Sequence, residues 1–312
     1  MKRFAVLVNG PGELWGWGRP VVKHLKEAGH RVDLLVLPCE YASGLEQRLA
    51  FRLGADRVVP SRSFAGEFTN GKGRPDAVLQ LGGDLVYGRL LSSRWNSPLF
   101  SYSYGPKKGL VACRGIFTAC GAMADSIRGA TGGKPVEIVG SLVADALGMD
   151  EGTVSRETGR APRVVLFPGS RPAIRKKALP FMGEFLGAAR GCLPKAEWGV
   201  LLSPFSDPEE PALWEQAGFL VYSAGTGAVL RGADIALTQP GTNTLELLHA
   251  RVPSVVAVPD DFLAVAPSPI PRRQVEGLGQ GRPAEARALW LAVGDPGGGA
   301  FSAAELARAW WG

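Results

Sequence analysis

The chain is expected to be an α/β protein built as two halves, each a parallel sheet with helices on both faces. Three observations predict this. Short uninterrupted apolar runs alternate with stretches of helical period, as buried parallel strands joined by helical crossovers do. A polar stretch from Asp150 to Pro162 interrupts the pattern, which then restarts. The 312 residues, with 46% apolar and 21% charged side chains, supply two ordinary cores and exclude global disorder.

The elements follow in order. Phe4–Val8 is a continuous apolar strand, followed by a glycine-rich turn. Pro20–Ala28 is a helix, with Pro20 suited to its first turn and Gly29 to a left-handed cap. Arg31–Leu37 is a strand that stops at Pro38, and Gly44–Leu53 a helix closed by Gly54. Val58-Val59, Ala77–Leu81, Pro98–Ser101, Gly115–Ala119 and Val136–Val139 read as further strands, with a helix at Ala122–Arg128. After the polar hinge near residue 155, strands are expected at Arg163–Pro168, Trp198–Leu202, Leu220–Tyr222, Ile235–Thr238 and Ser254–Val258. Helices are expected at Ile174–Arg190, Leu213–Ala217, Thr226–Gly232 and Thr244–Arg251. Asp260–Pro283 is rich in Pro, Gly and Arg and has no clear period. Ala284–Val293 and Ser302–Trp311 read as short helices, the second with Ser302 and Glu305 in a capping-box spacing. This gives domains at 1–155 and 156–283, and a helical segment at 284–312 that packs back on the first domain.

No run approaches the ~18 apolar residues of a membrane span, and the basic start leads into a first strand, not a leader sequence. The four cysteines show no C-x-x-C spacing and the three histidines no metal-ligand spacing, so reduced cytoplasmic thiols are expected and no metal site. The net charge of +6 suits a phosphate-bearing ligand, an anionic membrane surface or nucleic acid. The basic residues are dispersed apart from Arg171–Lys177, which disfavours a nucleic-acid stripe.

Two segments carry chemistry. In the first, the strand Val164–Phe167 runs through Pro168-Gly169-Ser170-Arg171 into a helix. Unpaired N–H groups at a helix start, with the helix dipole behind them, bind anions. Gly169 allows close approach, Ser170 offers a hydroxyl and Arg171 a guanidinium fork, with Arg175, Lys176 and Lys177 continuing the basic character. An ordinary strand–helix turn fits the same residues. In the second segment, Ile235–Thr238 leads through Gln239-Pro240-Gly241 into a helix. Thr242, Asn243 and Thr244 offer donors to a diphosphate, and Glu246 lies where a carboxylate could take both hydroxyls of a ribose. Asn243 and Glu246 also have the spacing of a capping box. Both segments sit at carboxyl ends of strands in the same half, where open α/β sheets bind ligands. Together they are expected to form a nucleoside-diphosphate site.

Leu166–Arg171, Gly241–Glu246 with the following Val252-Pro253-Ser254-Val255-Val256, and Val139-Gly140-Ser141-Leu142-Val143-Ala144-Asp145 resemble the lipid-A-disaccharide synthase family. The resemblance implies the GT-B architecture, two Rossmann-like domains whose parallel sheets face a central cleft. It implies an inverting, metal-independent glycosyltransferase that uses a UDP-sugar as donor substrate and no cofactor, with a lipid-linked or sugar acceptor. Gly169, Ser170 and Arg171 would lie near the phosphates, Gly241, Thr242, Asn243 and Thr244 at the diphosphate, and Glu246 at the ribose. The absence of an Asp-x-Asp sequence agrees with a metal-independent reaction.

The first half must then supply a base for the acceptor hydroxyl. Asp84 follows Gly82-Gly83 at the carboxyl end of a strand, and also fits as a turn aspartate. Glu13, in the loop after the first strand, is the rival. Arg171 would stabilise the leaving UDP. Gly10 and Gly12 miss the dinucleotide fingerprint by one position, with Asp33 inside a strand, and are assigned instead to acceptor approach. Trp15, Trp17, Trp310 and Trp311 fit either a membrane interface, peripheral to the inner face of the cell membrane, or internal packing. Two alternatives stay open: a UDP-sugar 2-epimerase-like enzyme, and a non-catalytic nucleotide-sugar-binding protein.

Overall fold

The computed structural model describes residues 1–39, 44–70, 73–154, 161–170, 172–239, 241–259, 288–292 and 299–301. The chain divides into two compact units, Met1–Ala146 and Leu147–Gly312.

Among the described residues, the first unit holds seven strands: β1 (Arg3–Val8), β2 (Arg31–Val36), β3 (Arg57–Val59), β4 (Ala77–Leu81), β5 (Leu99–Tyr102), β6 (Gly115–Thr118) and β7 (Val136–Ile138). All pair in parallel, in the order β3-β2-β1-β4-β5-β6-β7. This is the doubly wound order, which reverses direction between β1 and β4. Residues 5–8 of β1 are all buried, as a strand covered on both faces requires.

The glycine-rich stretch expected as a turn is helical instead. Gly10 caps a turn at Pro11–Glu13, a π-helical turn covers Leu14–Gly18, and an α-helix follows at Arg19–Glu27. Pro11 takes the first helical position, where its missing N–H costs nothing. Gly18 explains the glycine at the other end. A Cβ there would lie 3.0 Å from Cγ1 of Val8, so glycine lets the helix rest directly on β1 without displacing that side chain.

The second unit holds β8 (Arg163–Phe167), β9 (Glu197–Leu201), β10 (Leu220–Tyr222), β11 (Ile235–Thr238), β12 (Ser254–Pro259), β13 (Ala288–Ala292) and β14 (Gly299–Phe301). Their order is β10-β9-β8-β11-β12-β13-β14. The first five pair in parallel and reverse direction between β8 and β11. β13 and β14 extend the edge antiparallel. Val164 and Leu166 point into a core under the helix Pro172–Cys192, with Phe181, Phe185, Trp198 and Trp214. Val165 and Phe167 point the other way, with Leu201, Ala236 and Leu247.

β13 corrects the helix expected over residues 284–293. The apolar run Ala288–Ala292 pairs with β12, whose outer edge would otherwise leave its backbone groups unpaired. The tertiary partner overrides the helical propensity of an alanine-rich stretch. The helix expected at 302–311, and the aperiodic stretch 260–283, lie outside the described residues.

Each sheet is clamped at its amino end by arginine ion pairs, the arginine fully buried in the second unit and partly buried in the first. Arg163, 2% exposed, pairs with Glu197 and donates from Nη1 to the Val154 carbonyl at 2.9 Å. Arg3 donates from Nη2 to Asp33 at 2.6 Å, and Arg57 bonds both Asp33 and Glu67. The clamps lie at the opposite end of the sheets from the loops described next.

Candidate functional site

In the second unit, the carboxyl ends of β8 and β11 are neighbours: Phe167 and Thr238 are register partners. The loops that follow them are therefore side by side, at the point where strand order reverses. After β8, Gly169 has φ +101°, a left-handed conformation that favours glycine. A Cβ on Gly169 would stand 2.7 Å from Ile174 Cγ2 and 3.3 Å from Gln239 Oε1. The two loops touch through this glycine. The helix Pro172–Cys192 begins two residues beyond Ser170, and the helix Thr242–Ala250 directly beyond Gly241. Two helix amino termini therefore start from one crevice, each with unpaired backbone donors.

Gly169, Ser170, Gly241, Thr242, Asn243 and Thr244 lie on these loops and first turns, and Glu246 at the start of the second turn of its helix. Arg171 lies outside the described residues. Gly241 is the cap of its helix, with no side-chain cap, so the helix begins one residue before Asn243. The Thr244 hydroxyl donates to the Gly241 carbonyl at 2.7 Å, which shapes the loop instead of offering that proton to a ligand. Arg175 departs from the expected solvated basic face. It is 1% exposed, donates to the Ser170 carbonyl at 2.7 Å and pairs with Glu210 at 2.6 Å. It holds the loop from beneath.

Sequence reasoning missed Gln239. Its side chain is 5% exposed, and among the described residues neither carboxamide atom has a hydrogen-bond partner. The only signal was an amide directly after a buried strand.

In the first unit, Val8 and Leu81 are register partners, so the loops after β1 and β4 adjoin in the same way. Gly82 and Gly83 have φ +76° and +65°. A Cβ on Gly82 would lie 2.6 Å from Glu13 Cγ, and one on Gly83 3.2 Å from Asn9. Glu13 is thereby set against the turn that carries Asp84. One Asp84 carboxylate oxygen accepts from the Val86 N–H at 3.0 Å, which realises the turn-aspartate role, and the side chain is exposed.

Two further residues organise this end. Gln80, fully buried in β4, donates to the Gly82 and Asp84 carbonyls at 3.0 and 2.7 Å and accepts from the Gly88 N–H at 2.9 Å. Lys107 donates from Nζ to the Gly83 carbonyl at 3.3 Å. Burial holds its ammonium below the usual lysine value, opposed by the charges of Glu13 and Asp84. The crevice thus gathers two carboxylates and one partly desolvated cation. A cavity of about 250 Å³ opens beside it, lined by Asn9, Leu37, Cys39, Glu46 and Arg62 among others.

No sequence family and no curated protein matches the chain. Solved structures do. A putative UDP-N-acetylglucosamine 2-epimerase from Listeria monocytogenes superposes with a TM-score of 0.57 at 15% identity, covering 81% of this chain and 78% of its own. MnaA of S. aureus, in a structure with UDP, gives 0.57 at 14%, with the same 81% and 78%. CalG4, the calicheamicin glycosyltransferase, gives 0.52 at 16%, covering 89% of this chain and 84% of its own. The fold is GT-B.

Trp17 packs edge-on against Tyr102 and Tyr104, with centroids 5.4 and 5.1 Å away, and Arg19 lies 4.6 Å over the Trp15 ring. Both tryptophans are half-buried packing groups of the first unit, the second of the two roles their positions suggest. Trp310 and Trp311 lie outside the described residues. Tyr102 donates to the Gly140 carbonyl at 3.0 Å and accepts from the Leu142 N–H at 3.3 Å, anchoring the stretch 139–145. Asp33 is taken by Arg3 and Arg57. Burial pushes the Cys113 thiol up to about 11, as befits a core residue. Among the described residues, no helix is long and apolar enough to cross a membrane.

Proposed function

We propose that the chain is a glycosyltransferase that moves a sugar from a UDP-sugar to a lipid-linked or sugar acceptor, related to lipid-A-disaccharide synthase. One observation carries the reading: the loops after β8 and β11 meet through Gly169, and each feeds a helix amino terminus. Two such termini on one crevice suit the two phosphates of a nucleoside diphosphate. The UDP in the S. aureus MnaA structure supports that choice of ligand.

On this reading Gly169, Ser170, Gly241, Thr242 and Asn243 hold the diphosphate through backbone and side-chain donors, and Glu246 takes the ribose. Asp84, with Glu13 as its rival, accepts the proton of the acceptor hydroxyl. The acceptor oxygen attacks the anomeric carbon opposite the phosphate. One C–O bond forms as the other breaks, UDP leaves with the electron pair, and the anomeric centre inverts. Helix-terminal amides and Arg171 offset the charge developing on UDP.

The surface after Asp84 supports a lipid acceptor. From Leu85 to Ala124 the chain has no acidic residue and carries Arg89, Arg94, Lys107, Lys108 and Arg114. Val86, Leu90 and Val111 are 43%, 52% and 56% exposed there, and Gly109 packs on Leu85 and Arg89 to join the two segments. Exposed apolar groups among cations suit an anionic bilayer surface.

The Listeria epimerase keeps one other reading in view, UDP-sugar 2-epimerisation. Product analysis separates the two. With UDP-sugars and a native lipid extract, transfer is expected, and Asp84→Asn is expected to lower turnover about 100-fold or more with UDP affinity unchanged. Epimerised sugar without transfer would favour the second reading. A melting temperature that millimolar UDP fails to move would reject the donor site.

A further inference from the structure

Gln239 is the group in the second-unit crevice that the donor reading has not yet used. It is 5% exposed at the carboxyl end of β11, and its Oε1 lies 3.3 Å from where a Cβ on Gly169 would stand. Among the described residues its Oε1 and Nε2 have no hydrogen-bond partner. A buried carboxamide with neither atom satisfied is disfavoured, so the site is built to receive a partner.

The chemistry of the amide narrows that partner. Nε2 donates and Oε1 accepts, so one ligand group must both accept and donate. Phosphate oxygens accept only and would leave Oε1 orphaned. Hydroxyls do both. The ribose hydroxyls are assigned to Glu246, on the second helical turn after Gly241. The hydroxylated group that remains on the other side of the diphosphate is the transferred sugar. We propose that Gln239 is a specificity-determining residue that reads hydroxyls of the donor's sugar, next to the diphosphate held at Gly169. The proposal rests on the donor-site reading above.

Binding of UDP, UDP-glucose and UDP-N-acetylglucosamine to the full chain, measured by calorimetry, tests it. Gln239→Met keeps the length and removes both hydrogen-bonding atoms. It is expected to weaken the tighter of the two UDP-sugars at least tenfold and UDP less than threefold. Gln239→Glu keeps the shape, loses the donor and places a negative charge beside the diphosphate. It is expected to weaken UDP and the UDP-sugars alike, at least tenfold. Equal loss of UDP and UDP-sugar in Gln239→Met would overturn the proposal by assigning the amide to the nucleotide. So would unchanged binding of all three with only a shifted melting temperature, the result of an amide satisfied by buried water. So would UDP affinity within twofold of the parent in Gln239→Glu, or a parent chain that binds UDP but neither UDP-sugar. A parent that binds none of the three rejects the donor reading itself.

Discussion

At the scale of single residues, the two crevices are shaped by polar side chains whose roles depend on burial. Gln80 interrupts the apolar run Val78-Leu79-Gln80-Leu81, and its amide holds the Gly82–Asp84 turn with two hydrogen bonds and ties it to Gly88 of the following helix with a third. Sequence period marks it only as an exception to an apolar strand, since period reports which face is buried and not what a buried amide bonds. Gly169, Gly82 and Glu13 were legible because their residue types announce turns and charge at strand ends. Lys107 was not, because nothing local distinguishes it from Lys108. Its environment makes a pH prediction. Burial lowers its folded value below the usual 10.5. Between those two values the unfolded chain binds more protons, so stability rises with pH across that window. Below it, the full cost of keeping a partly desolvated ammonium is present. Lys107→Met is therefore expected to be more stable than the parent at pH 7, and the advantage should shrink as pH climbs toward 10.5. Urea midpoints across pH measure it; an advantage that grows with pH would contradict the assignment.

At the scale of elements, the strands were readable because a parallel strand covered on both faces must be a short apolar run, and all twelve expected runs reappear in place as β1 to β12. The stretch after β1 was misread because glycine and proline usually mark loops. Here Pro11 starts a helix and Gly18 lets it close on Val8. That information resides in the strand beneath, not in the local sequence. The run Ala288–Ala292 was misread for the same reason, its strand state coming from pairing with β12. The helix Pro172–Cys192 shows the opposite case, a long period that predicts itself. It matters to the candidate site because its amino terminus is aimed by its packing. Phe185, fully buried, meets Trp198 edge-on at 6.0 Å in the core beneath it. Phe185→Ala is expected to cost about 3–5 kcal/mol, as large cavities under aromatic side chains do. Chemical denaturation with Trp fluorescence reports it, and a loss below 1 kcal/mol would show that this helix does not depend on that core.

At the scale of the whole molecule, both units are built on one plan: doubly wound order, an arginine clamp at the amino end of the sheet, and a crevice at the carboxyl end where the order reverses. The plan alone does not say which crevice takes the nucleotide. The difference lies in what surrounds it. The first unit gathers Glu13, Asp84 and Lys107 with glycines set against side chains, which suits proton transfer and would repel a diphosphate through its carboxylates. The second joins two helix amino termini at a crevice whose buried Arg175 is already paired with Glu210, leaving backbone donors to face the ligand. The asymmetry makes a spatial prediction. Saturating UDP, at 100 times its dissociation constant, adds about 2.7 kcal/mol to the unit that binds it. Amide hydrogen exchange should then slow at 163–170 and 235–250, and stay unchanged at 9–13 and 80–86. The measurement separates the halves without assuming any arrangement between them. Protection that appeared at Gly82–Val86 instead would transfer the nucleotide to the first unit and leave Gln239 without a sugar to read.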